Sequence, residues 1–251
     1  MIWHKKLLVY IFIIFSSISI SEARVYLVAV GVADYPGEKN DLYLPINDAK
    51  AIISLYQANE QVTYCQLINQ DATPKKIIAA MKIFSLAQPN DIVVFYYSGH
   101  GYTGGFAVYD GYLSYEEMRL AMTKSKCNNK IIFADACFSG GLGNASKSSK
   151  KVLKQIKETN VMLFLSSRGD EYSWQSSILK NAYFTHYLQK GLRGNADIDR
   201  NKIITAKEIF EYVYQNVVAV SNNQQHPVMW GHFSNKMPVI RWDKNDYIKR
   251  R

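Results

Sequence analysis

The sequence predicts one α/β domain, a three-layer α/β/α sandwich in which helices cover both faces of a mostly parallel, six-stranded sheet. Two observations lead to this prediction. Apolar runs typical of strands buried on both faces alternate along the chain with segments of helical periodicity. The chain has 251 residues, of which 48% are hydrophobic, and this suits a single domain with a sizeable core.

The first half of the chain supplies two strands and two helices. The first strand is predicted in "RVYLVAVGVADYP", a nearly continuous apolar run closed by Asp, Pro and Gly. Helical spacing follows in "INDAKAIISLYQA", and the second strand in "VTYCQLINQDAT". Thr73 and Pro74 predict the start of the second helix, "PKKIIAAMKIFSLA", because a side-chain cap and a first-turn proline both favour a helix amino terminus.

The second half continues the alternation. A third buried strand is predicted in "DIVVFYYSGHG", followed by a Gly-rich loop with a short strand around "GGFAVYDGYL". Ser114 and Glu117 have the spacing of a capping box that opens the helix "YEEMRLAMTK". The fourth and fifth strands are "KIIFADAC" and "VMLFLSS", the last helices are "NAYFTHYLQKGL" and "AKEIFEYVYQNVVAV", and a last strand is "MPVIR".

The first 23 residues differ from the rest and indicate an export signal. A basic start, "MIWHKK", precedes an uncharged apolar run, and small residues stand at Ser21 and Ala23 in cleavage spacing. The run from Leu7 to Ile20 is shorter than the roughly 20 residues of a membrane-spanning helix. We expect cleavage after Ala23, no stable membrane anchor, and a periplasmic or extracellular domain at 24–251; an uncleaved anchor is the alternative.

Two of the predicted strands end in residues suited to nucleophilic chemistry. The third strand runs into "SGHG", which places His100 between glycines, and the fourth runs into "DACFSGG" with Cys137 at the equivalent point. Ligands of such sheets bind outside the carboxyl ends of the strands. A thiolate attacks well, and a nearby imidazole can generate it and later protonate the leaving amine.

We therefore predict His100 and Cys137 as the catalytic pair. The glycines let the backbone approach a reacting carbonyl, so the amide hydrogens of Gly101 and Cys137 are predicted to hold the oxyanion. A buried cysteine that only packs at a strand end is the plainer interpretation of Cys137.

The blocks "YYSGHG" and "DACFSG" resemble those of the caspase-like cysteine peptidases, which include caspases, metacaspases and bacterial relatives. The resemblance extends to "GVADYP…LPINDAKAI" and "NAYFTHYLQKGL…DIDRNKIITAKEIFEYV", over nearly all of residues 24–241. It implies a caspase-like sheet and a cysteine endopeptidase that acts on proteins or peptides and requires no cofactor. The alternatives are a catalytically silent binding module of the same fold, or an esterase or amidase with the same dyad.

The residue two positions before the cysteine separates the two main branches of this group. Caspases carry Gln there and select Asp before the cut, whereas metacaspases carry Asp and select Arg or Lys; this chain has Asp135. Asp48 matches the second acid of the metacaspase pocket, although Ile46 replaces a cysteine that many metacaspases have. Two carboxylates favour a guanidinium or ammonium group, so we expect cleavage after Arg or Lys. A helix-terminal charge is a second, compatible role for Asp48.

Residues after the fourth and fifth strands are predicted to take part in substrate contact and activation. Ser166 and Trp174, in "SSRGDEYSW", are candidates for substrate binding. A Lys/Ser-rich stretch at 143–157 is predicted as an exposed basic loop, where caspase-like enzymes often carry a linker cut during activation. The enzyme could cut itself there after one of four lysines, Lys147, Lys150, Lys151 and Lys154.

The stretch "DIDRNKIITAKE" at 197–208 matches much of a twelve-residue calcium loop. Lys202 stands where a glycine normally makes the sharp turn. A polar turn followed by a Thr205/Glu208 capping box is the favoured interpretation. Calcium is thus only a candidate cofactor, with the ligand set Asp197, Asp199, Asn201 and Glu208.

The distribution of charge argues against a nucleic-acid partner. The net charge of +9 is scattered, without an arginine-rich run or an aromatic and basic ladder, so no nucleic-acid partner is predicted.

In a caspase-like sheet the second, first, third and fourth strands are neighbours in that order, which would separate Cys65 from Cys127 by roughly 14 Å. Bridged cysteines need Cα atoms within about 7 Å, so we expect no disulfide.

Overall fold

The structure is a computed structural model that describes residues 23–58, 61–102, 104–137, 160–169, 171–176 and 178–242. Residues 1–22 of the expected export signal lie outside the described residues, as does the basic loop at 143–157 with its four candidate lysines. Both therefore stay predictions. Within the described ranges, no helix combines the length and apolar character needed to cross a membrane.

A six-stranded sheet forms the centre of the fold, as predicted. In chain order its members are β1 (Val25–Gly31), β2 (Val62–Ile68), β3 (Ile92–Ser98), β7 (Asn129–Asp135), β8 (Val161–Leu165) and β12 (Val228–Trp230). Their order across the sheet is β12, β8, β7, β3, β1, β2. All neighbours are parallel except β12, which is antiparallel to β8. The predicted order of the first four strands is confirmed, and Cys65, Cys127 and Cys137 are free thiols.

The sixth strand of this sheet is not the segment that the sequence suggested. The predicted last strand does form, as β13 (Pro238–Arg241), but it pairs with β11 (Ile203–Thr205) in a separate two-stranded ribbon. The sheet is completed instead by β12, a strand of only three residues. Such a strand is too short to show a periodicity of its own.

Helices cover both faces of the sheet. They are α1 (Pro45–Gln57), α2 (Pro74–Ala80), α3 (Tyr115–Thr123), α4 (Tyr183–Lys190) and α5 (Ala206–Val220). Side chains of α1, α4 and α5 join one buried cluster, and those of α2 and α3 join the other. Successive residues of β1 alternate between the two clusters, because neighbouring side chains of a strand point to opposite faces. The three-layer sandwich is thereby confirmed.

Two helices, α2 and α3, begin at the predicted capping residues. The side chain of Thr73 accepts a hydrogen bond from the Lys76 N–H (3.3 Å) at the start of α2, which passes into a 3-10 helix at Met81–Leu86. The capping box of Ser114 and Glu117 opens α3. These local interactions fix where α2 and α3 begin.

Two smaller sheets border the carboxyl edge of the main sheet. Strands β4 (Gly101–Tyr102), β5 (Gly105–Val108) and β6 (Gly111–Ser114) form an antiparallel meander directly after His100. Strands β9 (Gln175–Ser176) and β10 (Asn181–Ala182) form a short ribbon between β8 and α4. Both extend the loops that surround the ends of β3 and β7.

The register of the sheet brings the predicted catalytic residues to neighbouring positions. Ser98 and Asp135 are direct partners in the β3 and β7 pair, and the Gly99 N–H donates to the Asp135 carbonyl (3.2 Å). His100 and Cys137 each lie two residues beyond that pair. They therefore leave adjacent strands at the same level of the sheet edge.

Candidate active site

A cleft of about 520 Å³ opens at the carboxyl ends of β3 and β7. His100 and Cys137, the predicted catalytic pair, both line it. The opposite wall is a segment before and within β9, which we call the cleft segment, residues 171–176. The remaining lining residues are Leu42, Gly99, Gly101, Asp135, Ala136, Glu171, Tyr172, Ser173 and Gln175.

The His100 ring is oriented by a backbone carbonyl and an aromatic ring. Its Nε2 lies 2.8 Å from the carbonyl oxygen of Asn40, in the loop after β1. Because a carbonyl can only accept, Nε2 must carry the proton, and Nδ1 is left to exchange protons. The Tyr35 ring packs against the imidazole at 5.0 Å between centroids, with the planes tilted by 44°.

The backbone of His100 is fixed by two tyrosine hydroxyls. Its N–H donates to the Tyr35 hydroxyl (2.8 Å), and its carbonyl accepts from the Tyr97 hydroxyl (2.9 Å). Burial raises the pKa of both phenols, so both stay neutral and keep their hydroxyl hydrogens. The backbone of the histidine is thus held on both sides before any substrate arrives.

The Cys137 thiol is half-buried and has one hydrogen-bond donor from the cleft segment. The Ser173 N–H lies 3.2 Å from Sγ. Burial raises the pKa of the thiol, the Ser173 N–H lowers it, and the Asp135 carboxylate raises it. Because the combined effect favours the neutral thiol, Cys137 needs a base such as His100 to become a nucleophile.

Gly101 is in close contact with the backbone that carries Cys137. A Cβ atom at this position would lie 2.3 Å from the Cys137 carbonyl oxygen, so only glycine fits. The Ala107 N–H donates to the His100 carbonyl (2.9 Å), which makes Gly101 and Phe106 a pair without direct hydrogen bonds. The Gly101 N–H is therefore directed away from β5 and is available to an oxyanion.

Asp48 and Asp135 form a buried acidic pair beneath the cleft. Asp135 is 4% exposed and lines the cleft, whereas Asp48 is fully buried behind its wall. Burial and the nearby charge of Asp135 raise the pKa of Asp48 to about 8, and burial raises the pKa of Asp135. The pair therefore retains a proton near neutral pH in the free protein.

The donors to this acidic pair are hydroxyl, amide and backbone groups. Asp48 accepts from the Ser98 hydroxyl (2.9 Å), the Asn181 side-chain amide (2.7 Å) and the Ala182 N–H (3.2 Å). Asp135 accepts from the Ser173 hydroxyl (2.5 Å) and from the N–H (3.0 Å) and hydroxyl (2.6 Å) of Thr185. These neutral donors satisfy the oxygens without balancing the negative charge.

The other two candidates for substrate contact occupy different positions. Ser166 is fully buried, and its hydroxyl donates to the Ala136 carbonyl (3.0 Å) and accepts from the Ala136 N–H (3.1 Å). It thus supports the residue before Cys137 from behind the cleft wall. Trp174 is 44% exposed and lies in the cleft segment between two residues that line the cleft.

The calcium-like loop has some features of both interpretations. Lys202 has φ +69°, the left-handed conformation that glycine takes in such loops, and carboxylate oxygens of Asp197, Asp199 and Glu208 lie within 4.8 Å of one another. However, the carboxylate of Asp197 accepts from the loop's own N–H groups, and the Thr205/Glu208 capping box is present. Calcium binding stays a prediction.

Several residues of the site were missed by sequence reasoning. Asn40 and Tyr35 contact His100, and they follow β1 at the edge where ligands of parallel sheets bind, so their position could have drawn attention to them. Ser173 and Thr185 bind Asp135 from segments far along the chain. No spacing in the sequence indicates those contacts.

Comparisons with known proteins give a family match and two structural likenesses. The sequence model of the caspase domain matches residues 24–237. Caspase-1 from Spodoptera frugiperda is similar with a TM-score of 0.67 and 13% identity, over 89% of this chain and 92% of that chain. A protein from Geobacter sulfurreducens is similar with a TM-score of 0.65 and 15% identity, over 88% of this chain and all of that one. No curated protein matches the sequence.

Proposed function

This chain belongs to the caspase-domain family, and from that premise we propose that it is an exported cysteine endopeptidase that cleaves after Arg or Lys. The observation that carries the proposal is the shared cleft: His100 and Cys137 line it from adjacent strand ends, and Asp135 lies on its wall. Nucleophile, base and a pocket acid are thereby available to one bound peptide.

The first chemical step is attack by sulfur. His100 Nδ1 takes the proton from Cys137, and Sγ adds to the carbonyl carbon of the scissile bond. The Asn40 carbonyl accepts the Nε2 hydrogen and stabilises the imidazolium that forms. The negative charge that develops on the substrate oxygen is held by the N–H groups of Gly101 and Cys137, and one such donor is typically worth about 3 kcal/mol in the barrier.

The second step releases the products. The imidazolium of His100 donates its Nδ1 proton to the departing amine as the carbon–nitrogen bond breaks, which leaves a thioester on Cys137. Water then attacks the thioester with His100 as base. The carbon–sulfur bond breaks, the thiolate leaves, and it regains a proton from the imidazolium.

Selectivity for a basic side chain follows from the buried acidic pair. Asp48 and Asp135 have only neutral donors among the contacts described above, so the site lacks a positive charge. A guanidinium or ammonium group supplies that charge and makes both carboxylates more acidic. An acidic side chain would be repelled.

The test uses the purified protein with short fluorogenic peptides that end in Arg, Lys or Asp, with and without calcium. We expect turnover after Arg and Lys and none with Cys137→Ala, which removes the sulfur and leaves the cleft otherwise intact. A preference for Asp would contradict the pocket assignment. If no peptide is cleaved and a thiol-reactive acyl probe does not label Cys137, the chain is a binding module rather than a peptidase.

A further inference from the structure

The cleft segment has little apolar burial to hold it in place. Two of its large side chains point outward, since Tyr172 is 72% and Trp174 is 44% exposed. Yet this segment supplies the only described hydrogen bond to the Cys137 sulfur. Some other interaction must fix its position, because a loop without buried contacts samples many conformations.

The side chain of Gln225, in the loop between α5 and β12, provides one such interaction. It is fully buried, its Oε1 accepts from the Trp174 N–H (3.0 Å), and its Nε2 donates to the Ser166 carbonyl (2.9 Å). The same nitrogen lies 3.4 Å from the Ser173 hydroxyl oxygen. The amide thus joins the cleft segment to the residue that follows β8.

The next residue, His226, holds the beginning of the cleft segment. Its Nδ1 lies 2.6 Å from Glu171 Oε1, and its backbone N–H donates to Glu171 Oε2 (2.7 Å). Its Nε2 lies 3.1 Å from the side-chain oxygen of Asn223. Both side chains of this contact are mostly buried, so water competes less for their hydrogen bond than it would at the surface.

Ser173 lies between these anchors and the reacting groups. Its N–H is directed at Cys137 Sγ, its hydroxyl donates to Asp135, and Gln225 binds both its hydroxyl and the N–H of the next residue. A shift of the segment would therefore change the surroundings of the nucleophile and of the pocket acid together.

We propose that Gln225 and His226 act as a clamp that positions Ser173, and that Gln225 is a positioning residue for Cys137 and Asp135. It touches neither the sulfur nor the acid and acts through the cleft segment. A hydrogen bond to sulfur favours the thiolate, so release of the clamp makes the thiol harder to ionise. An effect of the clamp on peptide cleavage rests on the proposed peptidase activity, whereas its effect on the ionisation of Cys137 does not.

The test measures the ionisation of Cys137 without substrate. The rate of alkylation of Cys137 by iodoacetamide is followed by peptide mass analysis between pH 5 and 10 in the wild type and in Gln225→Met, which keeps the volume and removes the hydrogen bonds. We expect alkylation below the thiol pKa to slow about tenfold, equal to one pKa unit. The titratable groups that line the cleft with Cys137, namely His100, Asp135, Glu171 and Tyr172, are unchanged in this variant.

The matched control is Asn129→Ala. It also removes a buried amide, whose nitrogen donates to the Asp91 carbonyl (2.8 Å) at the opposite edge of the sheet. We expect it to lower the melting temperature and to leave the alkylation profile unchanged. A folded Gln225→Met protein with the wild-type profile overturns the clamp.

A second variant keeps the test decisive if Gln225→Met does not fold. His226→Asn removes the imidazole that contacts Glu171 Oε1 and keeps a side-chain N–H donor near that carboxylate. A smaller shift of the alkylation profile in the same direction supports the clamp, and an unshifted profile overturns it. Peptide cleavage is measured in parallel; a wild type that alkylates normally but cleaves no peptide contradicts the proposed function and leaves the result on the clamp unchanged.

Discussion

The two walls of the cleft are built in different ways. The wall with His100 continues directly from β3, and its backbone is held by the buried hydroxyls of Tyr97, in β3, and Tyr35, in the segment after β1. The opposite wall is a loop that Gln225 and His226 hold by side-chain contacts. The core of the fold therefore fixes the base, whereas the surroundings of the nucleophile depend on a few polar contacts.

The first prediction concerns His100 and has the largest expected effect on activity. We expect His100→Asn to lower kcat/KM for an Arg peptide by about a thousandfold, because general acid and base catalysis is lost. The melting temperature should change little, since the imidazole is only half-buried. A variant that retains a tenth or more of the wild-type rate would contradict the assigned role.

The second prediction concerns Asp135, the pocket acid at the end of β7, which the cleft segment contacts through the Ser173 hydroxyl. Asp135→Asn removes the charge that would pair with the substrate, and we expect kcat/KM for Arg and Lys peptides to fall about a hundredfold. The alkylation rate of Cys137 at neutral pH should rise, because the Asp135 charge raises the pKa of the thiol. An unchanged preference for basic peptides would exclude Asp135 from selectivity.

A pair of variants compares the two walls directly. Tyr35→Phe leaves the buried His100 N–H without its acceptor, which should cost about 1–3 kcal/mol in the free energy of unfolding. Activity should fall about tenfold through misplacement of the base. The chemical denaturation curve and kcat give the two effects separately.

Ser173→Ala is the counterpart on the cleft segment. It keeps the backbone N–H at Cys137 Sγ and the bond between Gln225 and the Trp174 N–H, and it removes the hydroxyl that donates to Asp135 and lies 3.4 Å from Gln225 Nε2. We expect KM for Arg peptides to change by about threefold, the size of one modest hydrogen bond, with an unshifted alkylation profile. Equal losses of stability in both variants would show that the walls do not differ as described.

The last prediction concerns the pH dependence of stability and tests Asp48 rather than either wall. Because the folded pKa of Asp48 is raised to about 8, its contribution to stability is full below about pH 4 and is lost as the pH rises through 8. Asp48→Asn removes this dependence. The melting temperature of the variant relative to the wild type should therefore increase from pH 5 to pH 9, and a constant difference would show that Asp48 is charged throughout.

The fold could be predicted from the sequence wherever segments were long and apolar. His100 and Cys137 were identified because strand ends of a parallel sheet converge, a rule that needs no side-chain detail, whereas the role of Asp135 came from the resemblance to metacaspases. Strand β12 was missed because three residues carry no pattern. The Asn40 carbonyl was missed for another reason. Every residue has a backbone carbonyl, so the sequence does not indicate which one accepts a hydrogen bond from His100.

Contacts between distant segments were the other class that the sequence did not reveal. Gln225 reaches the cleft segment because α5 returns the chain to the edge of β8, and polar residues of that kind are common in exposed loops. Ser166 was predicted to meet the substrate, whereas it is bonded to the backbone beside Cys137. A side chain at a strand end can face either side, and the sequence does not determine which.

The contact between Gly101 and the Cys137 carbonyl has a consequence for protein engineering. The two turns meet main chain to main chain, with no room for even one added carbon. A transplanted histidine turn from a relative would therefore have to bring its cysteine turn with it. The two turns have to be exchanged together, and we expect chimaeras that exchange only one of them to misfold where the turns meet.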